Sequence, residues 1–378
     1  MNVIPMEDAS SLHTALRETA RIALAECFAP AAGARVLIIS NPGTEQADIA
    51  EAFRDAAKEA DAHVRLLWQP AKTQADWADD EVIRAIEDRP DIVLSISAEK
   101  LGKDRYRLAN PLNGPDGRCY DHIFHYLLHG ERSLRAAWTP GITRDMFLRT
   151  IPIDYAGMRT TADYLCALLD HASAVMVTSP SGTDLCFSIQ GRASMRDDGD
   201  YCAPGSGGNL PAGEVFISPA LRSAEGTIVF DGSISDIEGD IVIRTPIVCT
   251  VRGGYVTGIE GGEEAERLEQ ALRHGMNMAS SLVQQGSMEP EKALTYATNA
   301  RHIGEFGIGL NPAATIAGNM LEDEKVRGTC HFAIGSNYDE DAPALIHLDG
   351  LVRNPTITLL MEHGEERIIM RDGEFVDS

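Results

Sequence analysis

The sequence predicts an α/β + β-rich protein: an N-terminal parallel-sheet α/β domain over residues 1–172, then a mixed, mainly β C-terminal domain over residues 173–378. Two patterns lead there. Through the first hundred residues, short apolar runs alternate with helix-period segments, the mark of a parallel sheet covered on both faces. From 174 to 256 the chain changes to closely spaced β runs separated by turns. With 378 residues, 44% hydrophobic and 24% charged, it can bury two cores.

Residues 9–28 read as a helix, with Leu12, Leu16, Ile22, Leu24 and Phe28 at roughly helical spacing. The run 35–39 is a buried strand that ends in the turn Asn41-Pro42-Gly43-Thr44. Open α/β sheets bind ligands after such strands, but neither GxGxxG nor a Walker pattern is present, so a plain turn is the better reading. A helix over 47–60, a strand over 64–68, a helix over 79–87 and a strand over 91–96 continue the alternation. A further helix covers 155–172.

Within residues 102–150, His122, His125 and His129 have i, i+3, i+7 spacing and can line one helix face as metal ligands. No carboxylate of matching spacing lies beside them, which favours partly exposed helix residues instead. In the second half, 197–209 is polar and Gly-rich and reads as a long loop bordering a site. Residues 260–285 form an amphipathic helix with Leu268, Leu272 and Met276 on one face.

The net charge of −24 argues against nucleic acid and anionic membrane as partners, because both are polyanions. Seven cysteines form no CxxC, which fits reduced thiols. The first eight residues hold neither a basic segment nor an apolar core of signal length, and no run approaches a membrane span, so a cytoplasmic protein is expected.

The chemistry concentrates in residues 301–349, where three histidines and several carboxylates fall among glycines and apolar runs. In a strand, residues i and i+2 face one side, so His347 and Asp349 can aim at one point while Leu348 enters the core. His331 sits in a second strand-like alternation, Cys330-His331-Phe332. Glu305 and Glu260 each lie beside glycines, where backbone can approach an ion closely. Glu322 and Asp323 read as a solvated charged face. Such N and O ligands suit a hard or borderline divalent metal.

Seven segments carry a resemblance: 182–185, 209–216, 258–261, 303–307, 323–325, 331–335 and 347–349. Together, and in that order, they resemble the aminopeptidase T / aminopeptidase S family of metallopeptidases and its shorter relatives, a branch that includes 2,5-dihydroxypyridine 5,6-dioxygenase. The peptidase resemblance implies a two-metal centre with Glu260, Glu305, His331, His347 and Asp349 as ligands and Tyr338 as the site tyrosine. Glu324 sits where that family carries an acid, with Lys325 where it usually has Asn. The dioxygenase resemblance implies one iron held by His302, His347 and Asp349. Cys186 and Ala98 then occupy the neighbourhoods of its accessory histidines.

Surplus acids around one iron would leave buried negative charge unpartnered, which favours two metals. The resulting expectation is a metal-dependent hydrolase cleaving an amide or peptide-like bond, with Zn, Mn or Co and with Glu260, Glu305 and Tyr338 as catalytic groups. The alternative is a non-haem Fe(II) dioxygenase opening a hydroxylated N-heterocycle, and a scaffold protein without activity is a third class. A small-molecule or short peptide substrate and a homo-oligomer, a dimer, are what the resemblance implies.

Overall fold

The computed structural model describes residues 6–73 and 76–376; the N-terminal residues 1–5, read above for a leader, lie outside them. The chain divides into two units. The first runs to Tyr155 and takes back Gly199–Ala212; the second comprises Ala156–Asp198 and the chain from Gly213 onward.

The first unit contains α1 (Met6–Ala23), β1 (Arg35–Ser40), α2 (Glu45–Glu59), β2 (His63–Trp68), α3 (Asp80–Glu87) and β3 (Ile92–Ile96). Then come α4 (Arg105–Ala109), the hairpin β4 (Leu112–Asn113) and β5 (Cys119–Tyr120), α5 (Ile123–His125), β6 (Arg135–Trp138) and α6 (Arg144–Thr150). Its five-stranded sheet is parallel, with β1 between β2 and β3 and with β6 beyond β3. The strands read as near-continuous apolar runs because helices cover both faces; β1 is buried at every position after Arg35. The chain turns after β1 through residues 41–44. Asn41 there donates to the Gln69 carbonyl at 3.0 Å and accepts from Ala98 N at 2.7 Å, tying the ends of three strands.

The second unit begins within α7 (Tyr155–Leu169) and is mainly β: β7 (Ala172–Thr178), β8 (Asp184–Ser188) and β9 (Met195–Asp197). After β10 (Gly207–Asn209), which belongs to the first unit, follow β11 (Glu214–Ile217), β12 (Glu225–Phe230), β13 (Ser233–Ser235), β14 (Asp240–Val242), β15 (Ile247–Arg252) and β16 (Tyr255–Glu260). The helices α8 (Glu263–Gln284) and α9 (Pro290–Asn299) precede β17 (Ile303–Gly309), α10 (Met320–Asp323), β18 (Thr329–Gly335), β19 (His347–Arg353), β20 (Thr356–Met361), β21 (Glu366–Arg371) and β22 (Glu374–Phe375).

These strands form two antiparallel sheets, one of seven strands in the order β14-β13-β19-β18-β17-β11-β9 and one of eight. Phe187 from the larger sheet packs on Phe306 and Phe332 from the smaller, with ring centroids 5.2 and 6.0 Å away, so the core lies between them. Strand alternation does the rest: Phe306, Phe332 and Leu348 turn to the core side, and Glu305, His331, His347 and Asp349 turn to the other.

Three expectations change. The boundary at 172 moves to the start of α7, whose Tyr164 hydroxyl accepts from Arg367 on β21 at 2.8 Å and whose Asp163 pairs with Arg196 on β9. The 197–209 stretch is not one loop: β10 joins the parallel sheet beside β6, and its Gly207-Gly208-Asn209 sequence gives no apolar signal of a strand. His122, His125 and His129 do not share one regular helix. His122 caps α5 by accepting from Phe124 N at 3.1 Å, and its other ring nitrogen donates to the Gly102 carbonyl at 3.1 Å. His129 lies in a π turn, stacked on the exposed His125. All seven cysteines are free. Among the described residues, no helix is long and apolar enough to cross a membrane.

Candidate metal centre

Four neighbouring strands of the seven-stranded sheet, β11, β17, β18 and β19, together with Glu324 at the end of α10, bring the acids and imidazoles together. The register sets Asp349 and Glu305 each opposite Ala333, and His331 opposite Gly307. The glycine is required there: a Cβ at 307 would come within 2.1 Å of the His331 ring. Every residue of β17 and β18 is buried, so these polar groups are dry unless they partner one another or an ion.

Among the described residues, two sets of donor atoms converge within 4.8 Å: Glu305, His347 and Asp349 in one, Glu214, Glu324 and His331 in the other. In the first, His347 Nε2 lies 3.3 Å from Glu305 Oε2 and 3.3 Å from Asp349 Oδ1. Neither of those oxygens accepts a hydrogen bond. His347 Nδ1 lies 2.9 Å from the Ser336 carbonyl, which only accepts, so Nδ1 carries the proton. Once the ring gives up its second proton, Nε2 points its lone pair at the two carboxylates. An imidazole oriented through its far nitrogen and flanked by two unsatisfied carboxylate oxygens fits a divalent cation.

Glu305 links the sets, with Oε1 at 3.2 Å from His331 Nε2. In the second set Glu214 Oε2 accepts no hydrogen bond and lies 3.5 Å from His331 Nε2. Lys325, absent from the candidates above, is wholly buried here. Its Nζ lies 2.5 Å from Glu214 Oε1, 2.6 Å from Glu324 Oε1 and 3.6 Å from Asp197 Oδ2.

Without an ion, protons and ammonium balance the acids. Burial pushes the Glu214 carboxyl up, against the pull of the Lys325 ammonium and the His331 imidazole. Burial pulls the His331 imidazole down, but the hydrogen bond to Glu305 and the charges of Glu214, Glu305 and Asp349 outweigh it and raise it to about 9. His347 is likewise held well above its ordinary value, burial being outweighed by Asp349 and Glu305. Burial also opposes ionisation of Glu305, yet its two imidazole partners hold it at about 2. Burial disfavours the Lys325 ammonium, but Glu214, Glu324 and Asp197 hold it charged.

Tyr338, in the connection from β18 to β19, stands edge-on to His347 with ring centroids 5.6 Å apart and rests on Phe216. It is 55% exposed and so lies at the open side of the cluster. The Glu305 carboxylate keeps its phenol protonated, well above the usual range.

Two expected ligands are not brought here. Glu260 ends β16 in the other sheet, exposed beside Glu266, Glu269 and Arg273. His302 follows α9 and turns its ring onto Tyr255 of β16, centroids 5.4 Å apart. It is fully buried, neither ring nitrogen has a hydrogen-bond partner, and burial holds its pKa at about 4. Glu322 and Asp323 are not a solvated face. They are buried, Glu322 accepting from Thr315 N and Asp323 from Ala317 N and Gly318 N. Conversely, sequence reasoning missed Glu214 as a member of this cluster; its one local signal is an acid opening a largely buried strand directly after a glycine.

Comparison with known proteins places the chain among relatives. The family model of NicX, 2,5-dihydroxypyridine 5,6-dioxygenase, matches residues 143–377, well over half the chain and including every residue of both donor sets. A 2,5-dihydroxypyridine 5,6-dioxygenase of Pseudomonas putida is 30% identical over 151 residues, a stretch spanning 38% of this chain and only 40% of that protein. The solved 2,5-dihydroxypyridine dioxygenase of Pseudomonas putida KT2440 superposes with TM-score 0.69 at 19% identity, covering 96% of this chain and 97% of the other. AmpT, an aminopeptidase T of Thermus thermophilus, superposes with TM-score 0.65 at 17% identity, over 96% and 99%. At those identities the two structures establish the fold alone, an aminopeptidase T-like one. The extent of the family match establishes that the chain belongs to the NicX, 2,5-dihydroxypyridine 5,6-dioxygenase, family.

Proposed function

We propose that the chain is a metal-dependent dioxygenase that opens the ring of a small hydroxylated N-heterocycle. Glu305, His347 and Asp349 hold the metal. The observation that carries the reading is His347 Nε2 lying 3.3 Å from two carboxylate oxygens that accept no hydrogen bond, all within the stretch matched by the family. A set of one imidazole and two carboxylates suits Fe(II) or Mn(II), and it replaces the two-histidine triad expected through His302.

A metal held by Glu305, His347 and Asp349 would supply open positions for O2 and for an ionised ring hydroxyl. Both oxygen atoms end in the product and the ring supplies the electrons, so no further reductant is needed. Tyr338, exposed beside His347 and protonated, would donate a hydrogen bond to the substrate. The buried face of β17 and β18 keeps water from the site.

The hydrolytic reading counted Glu260 among the ligands of a two-metal centre, and Glu260 lies elsewhere. One observation still favours hydrolysis: the Glu214, Glu324 and His331 set adjoins the first, and paired sets are what a two-ion clamp on an attacking water needs. Anaerobic purification, Fe(II) loading and oxygen-uptake measurements on 2,5-dihydroxypyridine separate the two. Uptake with no turnover of amino-acid amides supports ring opening. Amide turnover without oxygen uptake overturns it.

A further inference from the structure

Lys325 occupies the second donor set. Its backbone is pinned on both sides, its N donating to the Glu322 carbonyl at 2.9 Å and its O accepting from Asn311 N at 2.8 Å. The side chain then runs inward with no solvent exposure. An ammonium has three N–H donors. Here three carboxylates surround it, Glu214 and Glu324 within 2.6 Å and Asp197 at 3.6 Å. Two of those acids are the ones that, with His331, complete the second set.

A second divalent ion needs oxygen contacts of about 2.0–2.2 Å from these same carboxylates. Nζ already holds one oxygen of each. An ion on the remaining oxygens would lie one carboxylate's width from a fully buried positive charge that has no route to water. Like charges at that separation in a dry site repel strongly. The ammonium also performs the electrostatic task of the ion, since buried acids need a cation beside them.

We propose that Lys325 is an internal counter-cation in the place of a second metal, so that the centre takes one divalent ion, on Glu305, His347 and Asp349, and that removing the ammonium opens a second cation site on Glu214, Glu324 and His331. This rests on the proposed metal centre, but not on whether its reaction is ring opening or hydrolysis.

The test is to strip the full chain with chelator, titrate it with Mn(II), count bound ions per chain and record the Mn(II) spin-resonance spectrum. Wild type should bind one ion with the spectrum of an isolated Mn(II). Lys325→Met should bind two, with the broadened spectrum of a coupled pair. Glu214→Gln should leave the wild-type count at one, because that acid holds the lysine and not the ion. Two ions in the wild type overturn the inference. So does a folded Lys325→Met that still binds one, or a fall in count in Glu214→Gln. If Lys325→Met is recovered only unfolded, the wild-type and Glu214→Gln counts decide. Oxygen uptake is read separately. One ion without uptake overturns the proposed function and keeps this inference; two ions with uptake do the reverse.

Discussion

Glu305 Oε1 lies 3.2 Å from His331 Nε2, and the opposite oxygen of the same carboxylate lies 3.3 Å from His347 Nε2. One side chain on β17 thus touches an imidazole from each neighbouring donor set. Glu305→Gln keeps its size and removes its charge. Losing a direct ligand should cost more than the roughly 10–100-fold in affinity that follows loss of an outer partner. The expected outcome is a fall of at least about 100-fold in both Mn(II) affinity and kcat, read by metal titration and steady-state rates. Unchanged affinity would remove Glu305 from the centre.

Metal binding should release protons. His347 is held well above its ordinary value in the ion-free chain, so it is protonated near neutrality, whereas a metal needs its bare Nε2. The sign follows: apparent metal affinity rises with pH throughout the range in which the free site stays protonated, by up to tenfold per unit for each proton displaced. Calorimetric titration in buffers of different ionisation heat measures the protons released. Affinity that is flat from pH 6 to 8 contradicts this.

The parallel domain was legible because helices on both faces make each strand an apolar run, and a run needs no partner to be seen. His347 and Asp349 were legible for a similar reason: the period of two fixes their common face before any register is known. Glu260 shows where this stops. Its glycine-flanked setting matches that of Glu305, but β17 lies inside the sheet that carries the ligands and β16 edges the other. The acidic run 322–324 fails differently. A row of acids reads as solvated, yet the backbone N–H groups of residues 315, 317 and 318 fold back to satisfy Glu322 and Asp323, and Glu324 meets Lys325. None of those partners is visible in a linear pattern, and the lysine's decisive neighbour, Glu214, is over a hundred residues away.

His302 tests that boundary from the other side. It is buried with neither ring nitrogen bonded, and burial holds its pKa at about 4 against an ordinary 6.5. Between those values the unfolded chain binds a proton that the folded chain refuses, so this group makes stability fall as pH drops from 6.5 towards 4, by up to about 1.4 kcal/mol per unit. His302→Phe keeps a ring and removes two unsatisfied polar atoms. It should leave the ion count unchanged, cost less than about 1.5 kcal/mol at pH 7.5, and flatten the acid side of a stability profile measured by denaturant unfolding of the ion-free chain. Loss of metal binding in this variant would restore His302 as a ligand.

Tyr338 offers a separation of chemistry from binding. Tyr338→Phe retains the ring that rests on Phe216 and stands edge-on to His347, and it deletes only the hydroxyl. The residue is more than half exposed, so stability should change by less than about 0.5 kcal/mol. Ion count should stay the same, because the phenol belongs to neither donor set. A positioned hydrogen-bond donor that acts as the reaction proceeds is worth roughly 10²–10³ in rate, so kcat should fall by that order while KM changes little. Because the nearby Glu305 carboxylate holds the phenol protonated well above its usual range, the wild-type rate should show no loss attributable to tyrosine ionisation up to about pH 10. A rise in KM at constant kcat would instead make Tyr338 a binding surface, and an unchanged rate would leave it as packing for His347.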